Sequence, residues 1–160
     1  MTLICTLDLA GPDATARLGE TFADLLEPGD VLLLAGQIGA GKTHFARAVI
    51  TARLARVGAV EDIPSPTFTL IQTYEADCEI WHADLYRLTS PDEVLELGLD
   101  EAFETAICLI EWPDRLGSLV PAGALRLAFE LRDNGASRQV VISGGADWAA
   151  RLAAAGICHD

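Results

Sequence analysis

Val31-Leu32-Leu33-Leu34-Ala35 runs directly into Gly36-Gln37-Ile38-Gly39-Ala40-Gly41-Lys42-Thr43, and this junction decides the fold. Five consecutive apolar residues suit a strand buried on both faces of a parallel sheet. The next eight read G-x-x-x-x-G-K-[ST], a phosphate-binding loop, and Thr43 to Arg56 continues as a helix. Strand, loop and helix in this order are the context in which the motif binds a nucleoside triphosphate rather than merely turning the chain. Lys42 is the single lysine of the chain; every other basic residue is arginine. A compact ammonium stands where a point charge must reach between β- and γ-phosphates.

The flanking sequence predicts an α/β fold, a mostly parallel central sheet flanked by helices with added antiparallel strands. Leu3 to Leu9 reads as a strand. Gly11-Pro12-Asp13 opens a helix whose apolar face uses Ala14, Leu18, Phe22, Leu25 and Leu26. Pro64-Ser65-Pro66-Thr67 is rigid irregular chain, because a residue before proline is pushed out of the helical region. Phe68 to Tyr74 and Glu79 to Ala83 alternate as two strands of a hairpin. Ser90-Pro91-Asp92-Glu93 opens a helix, with Ser90 as its cap, Pro91 at the first helical position and acids in the first turn, and Gly98 closes it. Ala106 to Ile110 is a second wholly apolar strand. Ala124 to Leu131 and Gln139 to Ser143 flank the turn Asp133-Asn134-Gly135, and Asp147 to Ala155 closes the chain as a helix.

At 160 residues the chain is expected to form one P-loop domain over 1–160, its 51% apolar content supplying a full core. Cys5, Cys78, Cys108 and Cys158 make no C-x-x-C pair, so reduced thiols are expected rather than a disulfide framework or zinc knuckle. The N-terminus has no basic n-region, and no apolar run approaches a membrane span. A cytoplasmic protein with no membrane association is the expectation. A net charge of −13 repels nucleic-acid backbones, so no direct nucleic-acid contact is expected.

Gly36, Gly39 and Gly41 let the main chain approach phosphate, Lys42 neutralises β/γ charge, and the Thr43 hydroxyl suits Mg²⁺. A P-loop enzyme also needs a carboxylate at the end of a neighbouring strand. Two positions compete. Glu111 follows the apolar run Ala106 to Ile110, and Asp84 ends the strand carrying Trp81 and His82. Both are expected near the metal, with Glu111 favoured for direct or water-mediated contact. His82 and Asp84 are spaced to ligate a metal together, but a surface pair on one strand face is the favoured reading. With no second lysine the chain lacks an N-K-x-D-type guanine reader, which favours ATP over GTP. Arg47, Arg87 and Arg115 are eligible transition-state cations, with ordinary surface arginine as the plainer reading.

Four ordered segments then resemble one family. They are Gly36 to Thr43, Ser65-Pro66-Thr67-Phe68-Thr69-Leu70, His82-Ala83-Asp84-Leu85-Tyr86-Arg87-Leu88 and Cys108-Leu109-Ile110-Glu111-Trp112-Pro113. Together they are similar to the bacterial TsaE (YjeE) family of small P-loop ATPases, over a span from Leu7 to Arg115. The resemblance implies an ATP- and Mg²⁺-dependent accessory subunit for threonylcarbamoyl-adenosine formation on tRNA. Its partners would be TsaB and TsaD, with the tRNA held by a partner. Gln37, Ile38, Gly39, Ala40, Gly41, Lys42, Thr43 and His44 would hold the phosphates, and Thr43, Asp84 and Glu111 the metal. Lys42, Asp84 and Glu111 would serve hydrolysis. Thr67 would belong to a switch-like loop over Ser65 to Thr69, Trp112 would sit beside the site, and Gly11 and Arg132 would meet the adenine. Two other classes stay open: a small-molecule kinase, and an interaction module that binds nucleotide without hydrolysing it.

Overall fold

The two wholly apolar runs, β2 (Val31–Gly36) and β5 (Ile107–Glu111), lie side by side and parallel in the sheet. In this computed structural model residues 1–67 and 69–158 are described. Among them seven strands form one sheet in the order β1-β7-β6-β2-β5-β4-β3. β6 (Leu125–Arg132) and β4 (Glu79–Asp84) extend the parallel centre on either side. β3 (Ile71–Glu75) pairs antiparallel with β4, while β7 (Ser137–Gly144) is antiparallel to both β6 and β1 (Thr2–Leu9).

Successive residues of a strand face opposite sides, which is why β2 and β5 need apolar residues at every position. Leu32, Leu34, Ile107 and Leu109 join the core under α1 (Pro12–Leu25), α2 (Lys42–Ala55) and α5 (Ala146–Ala154). Val31, Leu33, Cys108 and Ile110 join the opposite core with Val94, Leu99 and Leu116. Those three come from α3 (Asp92–Glu96), α4 (Leu99–Thr105) and the 3₁₀ segment Pro113–Leu119. Each fully buried side chain of this kind contributes roughly 1.5–3 kcal/mol over its exposed state.

Two contacts fix the helix that carries the motif. Phe45 of α2 meets Phe22 edge-on at 5.6 Å and Phe129 of β6 at 5.6 Å, so three rings join α1, α2 and the sheet. Gly19 lets α1 approach α2 closely, since a Cβ there would lie 2.7 Å from Ala48 Cβ and 2.9 Å from the Phe45 carbonyl oxygen. Farther along α2, the buried Arg53 reaches Asp77 through Nε and Nη2 and the Ala23 and Leu26 carbonyls through Nη1. Burial works against the Asp77 carboxylate, but Arg53's charge and hydrogen bonds, helped by Arg56, hold it below the ordinary carboxylate value.

Several expectations are corrected. β3 begins at Ile71 rather than Phe68, because the chain turns first: Leu70 adopts φ 67° and donates its amide to the Pro66 carbonyl. Phe68 itself lies outside the described residues. Ser90 does not cap α3, which starts at Asp92 after Pro91, although its hydroxyl accepts from the Asp92 amide. α4 follows directly on Gly98 and carries no periodic stripe long enough to predict it. The expectation of four reduced thiols fails as well. Cys5 of β1 is bonded to Cys158, which follows α5, leaving Cys78 and Cys108 free. Sequence spacing could not reveal a pair 153 residues apart.

Gly19→Ala should destabilise the protein by about 1–3 kcal/mol, because neither Ala48 Cβ nor a helix carbonyl can move aside cheaply. Thermal unfolding under oxidising conditions measures this; an unchanged midpoint would mean that the two helices are not fixed at this contact.

Candidate functional site

Parallel strands end their carbonyl-terminal edges together, and the chemistry gathers at that edge. Asp84 ends β4 and pairs in register with Glu111, which ends β5 and pairs with Leu34, two residues before the loop. The sheet therefore brings both carboxylates to the mouth of the P-loop. There a cavity of about 510 Å³ opens, lined by Ile38, Gly39, Gly41, Lys42, Thr43 and His44 from the loop and α2. Thr67, Asp84, Glu111 and Trp112 complete it from the other strands, with Tyr86, Pro12, Thr15 and Arg138. Its size falls in the range of small-molecule sites.

Gly39 and Gly41 have φ of 82° and 108°, a region that residues with a Cβ avoid, so the loop needs glycine at both. Gly36 is required for a different reason: a Cβ there would sit 2.4 Å from the Phe129 carbonyl oxygen. Lys42 is buried, with its ammonium 2.6 Å from the Gly36 carbonyl oxygen and 3.5 Å above the Trp112 ring. Burial lowers its basicity; the charges of Glu111, Asp84 and Asp114 pull it back only in part. An anion in the cavity would offset that desolvation directly.

Thr43 donates its hydroxyl to Glu111 Oε1 at 2.8 Å, and Glu111 Oε2 lies 2.6 Å from His82 Nε2. Glu111 is 2% exposed and His82 0%, so neither is a solvated surface group. His82 and Asp84 thus do not form a surface pair: His82 turns to Glu111, and Asp84 serves a separate set of partners. Asp84 Oδ1 accepts the Tyr86 amide at 3.0 Å, and Oδ2 accepts the Thr67 hydroxyl at 3.3 Å. Thr67 in turn shares a 2.7 Å hydrogen bond with Ser65. The Tyr86 and Trp112 rings meet at a tilt of 54° with centroids 4.9 Å apart, which ties the β4 and β5 exits together. Leu70 and Trp112 both take positive φ without being glycine, at 67° and 59°. Such backbone costs on the order of 1–3 kcal/mol and clusters at ligand sites.

A hydroxyl and a carboxylate 2.8 Å apart are hard oxygen donors of the kind magnesium takes. Among the described residues no group of three or more His, Cys, Asp or Glu could hold a metal ion alone. That donor set fits a cation held largely by ligand phosphates and water, as magnesium commonly is.

Not every candidate from the sequence lines the cavity. Gln37 and Ala40 stay within the loop, where the Ala40 amide donates to the Gln37 carbonyl at 3.1 Å. His44 does line it and donates from Nε2 to the Pro12 carbonyl, fastening α1 to the loop. Gly11 and Arg132 do not. Gly11 caps α1 through its carbonyl, and Arg132 is engaged by Glu130 and Gln139. The neighbouring positions are Pro12 and Arg138, whose guanidinium reaches the Gly39 carbonyl at 3.3 Å. Arg47, Arg87 and Arg115 do not line it either, and Arg47 donates to the Ile63 carbonyl. Arg138 carried no sequence signal, since only the pairing of β6 with β7 brings residue 138 to the loop.

Comparison with known proteins agrees with this arrangement. The family profile described as "Threonylcarbamoyl adenosine biosynthesis protein TsaE" matches residues 9–140, extending the likeness through β6 to the middle of β7. A protein of Rickettsia conorii named tRNA threonylcarbamoyladenosine biosynthesis protein TsaE is 41% identical over 127 residues, 79% of this chain and 71% of its own. Its namesakes in Treponema pallidum and Bacillus subtilis are 34% and 35% identical, covering 81% and 74% of this chain and 93% and 73% of their own. The crystal structure of Bacillus subtilis YdiB superposes with a TM-score of 0.78 at 24% identity, covering 98% of this chain and 97% of that one, a likeness of fold.

Thr67→Val should remove the side-chain bond from Thr67 to the Asp84 carboxylate, leaving the Asp84 amide on the Leu70 carbonyl. Hydrogen exchange at the Leu70 amide is expected to speed about threefold to tenfold, the equivalent of one hydrogen bond. Unchanged exchange would show that the segment is anchored elsewhere.

Proposed function

The chain belongs to the TsaE family of tRNA threonylcarbamoyladenosine biosynthesis proteins, and from that premise we propose that it binds and hydrolyses ATP with Mg²⁺ in the cavity above its P-loop. The observation that carries this reading is the meeting of Lys42, Thr43 and Glu111, from two separate stretches of chain, at the edge of β2 and β5. Lys42 neutralises the terminal phosphates, exchanging its bond to the Gly36 carbonyl for theirs. Thr43 and Glu111 would hold the metal, which would supply charge neutralisation for the phosphates. Asp84, beside Thr67, orients the attacking water for in-line displacement, and Thr67 couples that carboxylate to the Ser65–Leu70 segment. The lack of a second lysine favours adenine, and Arg138 and Pro12 take the place near the base first assigned to Arg132 and Gly11.

Turnover of the isolated chain should be slow, because among the described residues Arg138 is the sole arginine lining the cavity and it is bonded to loop and turn carbonyls. We assign the productive state to a complex with TsaB and TsaD, which hold the tRNA. The net charge of −13 suits docking on a basic protein face and disfavours direct contact with RNA. No helix among the described residues is long and apolar enough to cross a membrane.

Phosphate release from ATP, measured on the purified chain alone and with TsaB and TsaD, tests the reading. Release stimulated by the partners is expected. Transfer of phosphate to a metabolite would make the chain a kinase, and binding without release an interaction module. Glu111→Ala should lower Mg²⁺-dependent turnover at least a hundredfold while leaving the fold intact; an unchanged rate moves the metal role to Asp84. Lys42 being the only lysine, an amine-reactive reagent at alkaline pH modifies that side chain and the N-terminal amine alone. MgATP should protect Lys42, and equal labelling with and without nucleotide would place the phosphates elsewhere.

A further inference from the structure

Glu111 is held at both carboxylate oxygens, and one of the two holders lies outside the P-loop motif. Oε1 takes the Thr43 hydroxyl, and Oε2 faces His82 Nε2 at 2.6 Å. The imidazole is completely buried, and its Nδ1 has no hydrogen-bond partner. These partners decide the tautomer. A carboxylate oxygen only accepts, so Nε2 carries the proton; the reverse form would set two lone pairs against each other. The reverse form would also bury an Nδ1–H donor without a partner, the rarer and costlier kind of orphan. β4 supplies the placement. His82 and Asp84 share one strand face, so Asp84 reaches the cavity while His82 lies two residues deeper, in register with Leu109.

We propose that His82 is a positioning residue for metal-dependent nucleotide binding: its Nε2–H fixes the rotation of the Glu111 carboxylate and keeps Oε1 turned to Thr43. The inference rests on the proposed function and adds a residue to it. His82 touches neither nucleotide nor metal. Without its donor, Oε2 would be a charged oxygen in a site 2% exposed, and the carboxylate would turn to find another partner. Partners one step removed from a metal generally set ligand orientation and cost 10- to 100-fold in metal affinity when removed.

The test is ADP affinity of the full chain, by calorimetry, in Mg²⁺ and in EDTA. Wild type should bind more tightly with Mg²⁺. His82→Phe, which keeps an aromatic ring and removes the donor, should lose about 10- to 100-fold of that metal-dependent gain, with affinity in EDTA unchanged. His82→Gln, which restores a donor, should recover most of it. His82→Phe behaving as wild type, or losing affinity equally in both buffers, overturns the proposal. A second readout needs no variant. Nitrogen NMR of the wild-type imidazole should place the buried proton on Nε2, and a proton on Nδ1 overturns the proposal even if His82→Phe does not fold. A wild type indifferent to Mg²⁺ would sink the proposed metal site itself, a result distinguishable from a variant that merely matches a metal-responsive parent.

Discussion

A carboxylate almost cut off from water dictates how this protein is assembled around its loop. Glu111 ends a strand buried on both faces, and at 2% exposure it needs a donor on each oxygen. One donor comes from the first turn of α2 and the other from β4, so three elements are committed to one side chain. Removing one partner of a buried charged group generally costs several kcal/mol. The parallel register of β2, β5 and β4, set by apolar packing, also meets this demand, since a shift of one residue would turn Glu111 to the opposite face.

The apolar framework supplies the complementary constraint. Phe22, Phe45 and Phe129 meet edge-on or tilted where α1, α2 and β6 converge, and Gly36 passes so close to Phe129 that only glycine fits. The loop is thus held from below by backbone contact and from the side by His44 on the Pro12 carbonyl. Preorganisation of this kind places Lys42 without leaving it exposed to solvent. The ammonium rests on a carbonyl and an aromatic face, a state whose desolvation a phosphate ligand would relieve.

How much of this was legible in the sequence depended on whether the determinant was local. The P-loop, the two doubly buried strands and the hairpin before Asp84 each declare themselves within ten residues, and the structure contains all of them. The strand-end rule brought Glu111 and Asp84 to one place because both acids follow apolar or alternating runs. His82 was misjudged because alternation shows which face a residue takes but not that β5 presents a carboxylate to it. Arg138 and the Cys5–Cys158 bond were invisible for a related reason: each depends on β7 returning beside β6 and β1, a pairing no short segment encodes. Arg132 was nearer the turn in sequence, yet its position on β6 aims it at Glu130 and Gln139 instead.

Two strained residues link the carboxylate edge to the rest of the surface. Leu70 precedes β3 and Trp112 follows β5, both in the left-handed region. Neither is favoured locally, so each persists only because neighbours hold it: Leu70 through the Pro66 carbonyl and the Asp84 amide, Trp112 through Tyr86 and Lys42. Every one of these restraints ends on a residue at or beside the cavity. A ligand that drew Lys42 from Trp112, or moved the Asp84 backbone away from Leu70, would remove a restraint and leave the strain to shift that residue. Under the proposed function, binding energy at the loop would be converted into a change of shape at Leu70 and Trp112, the form in which a nucleotide-binding subunit would address larger partners.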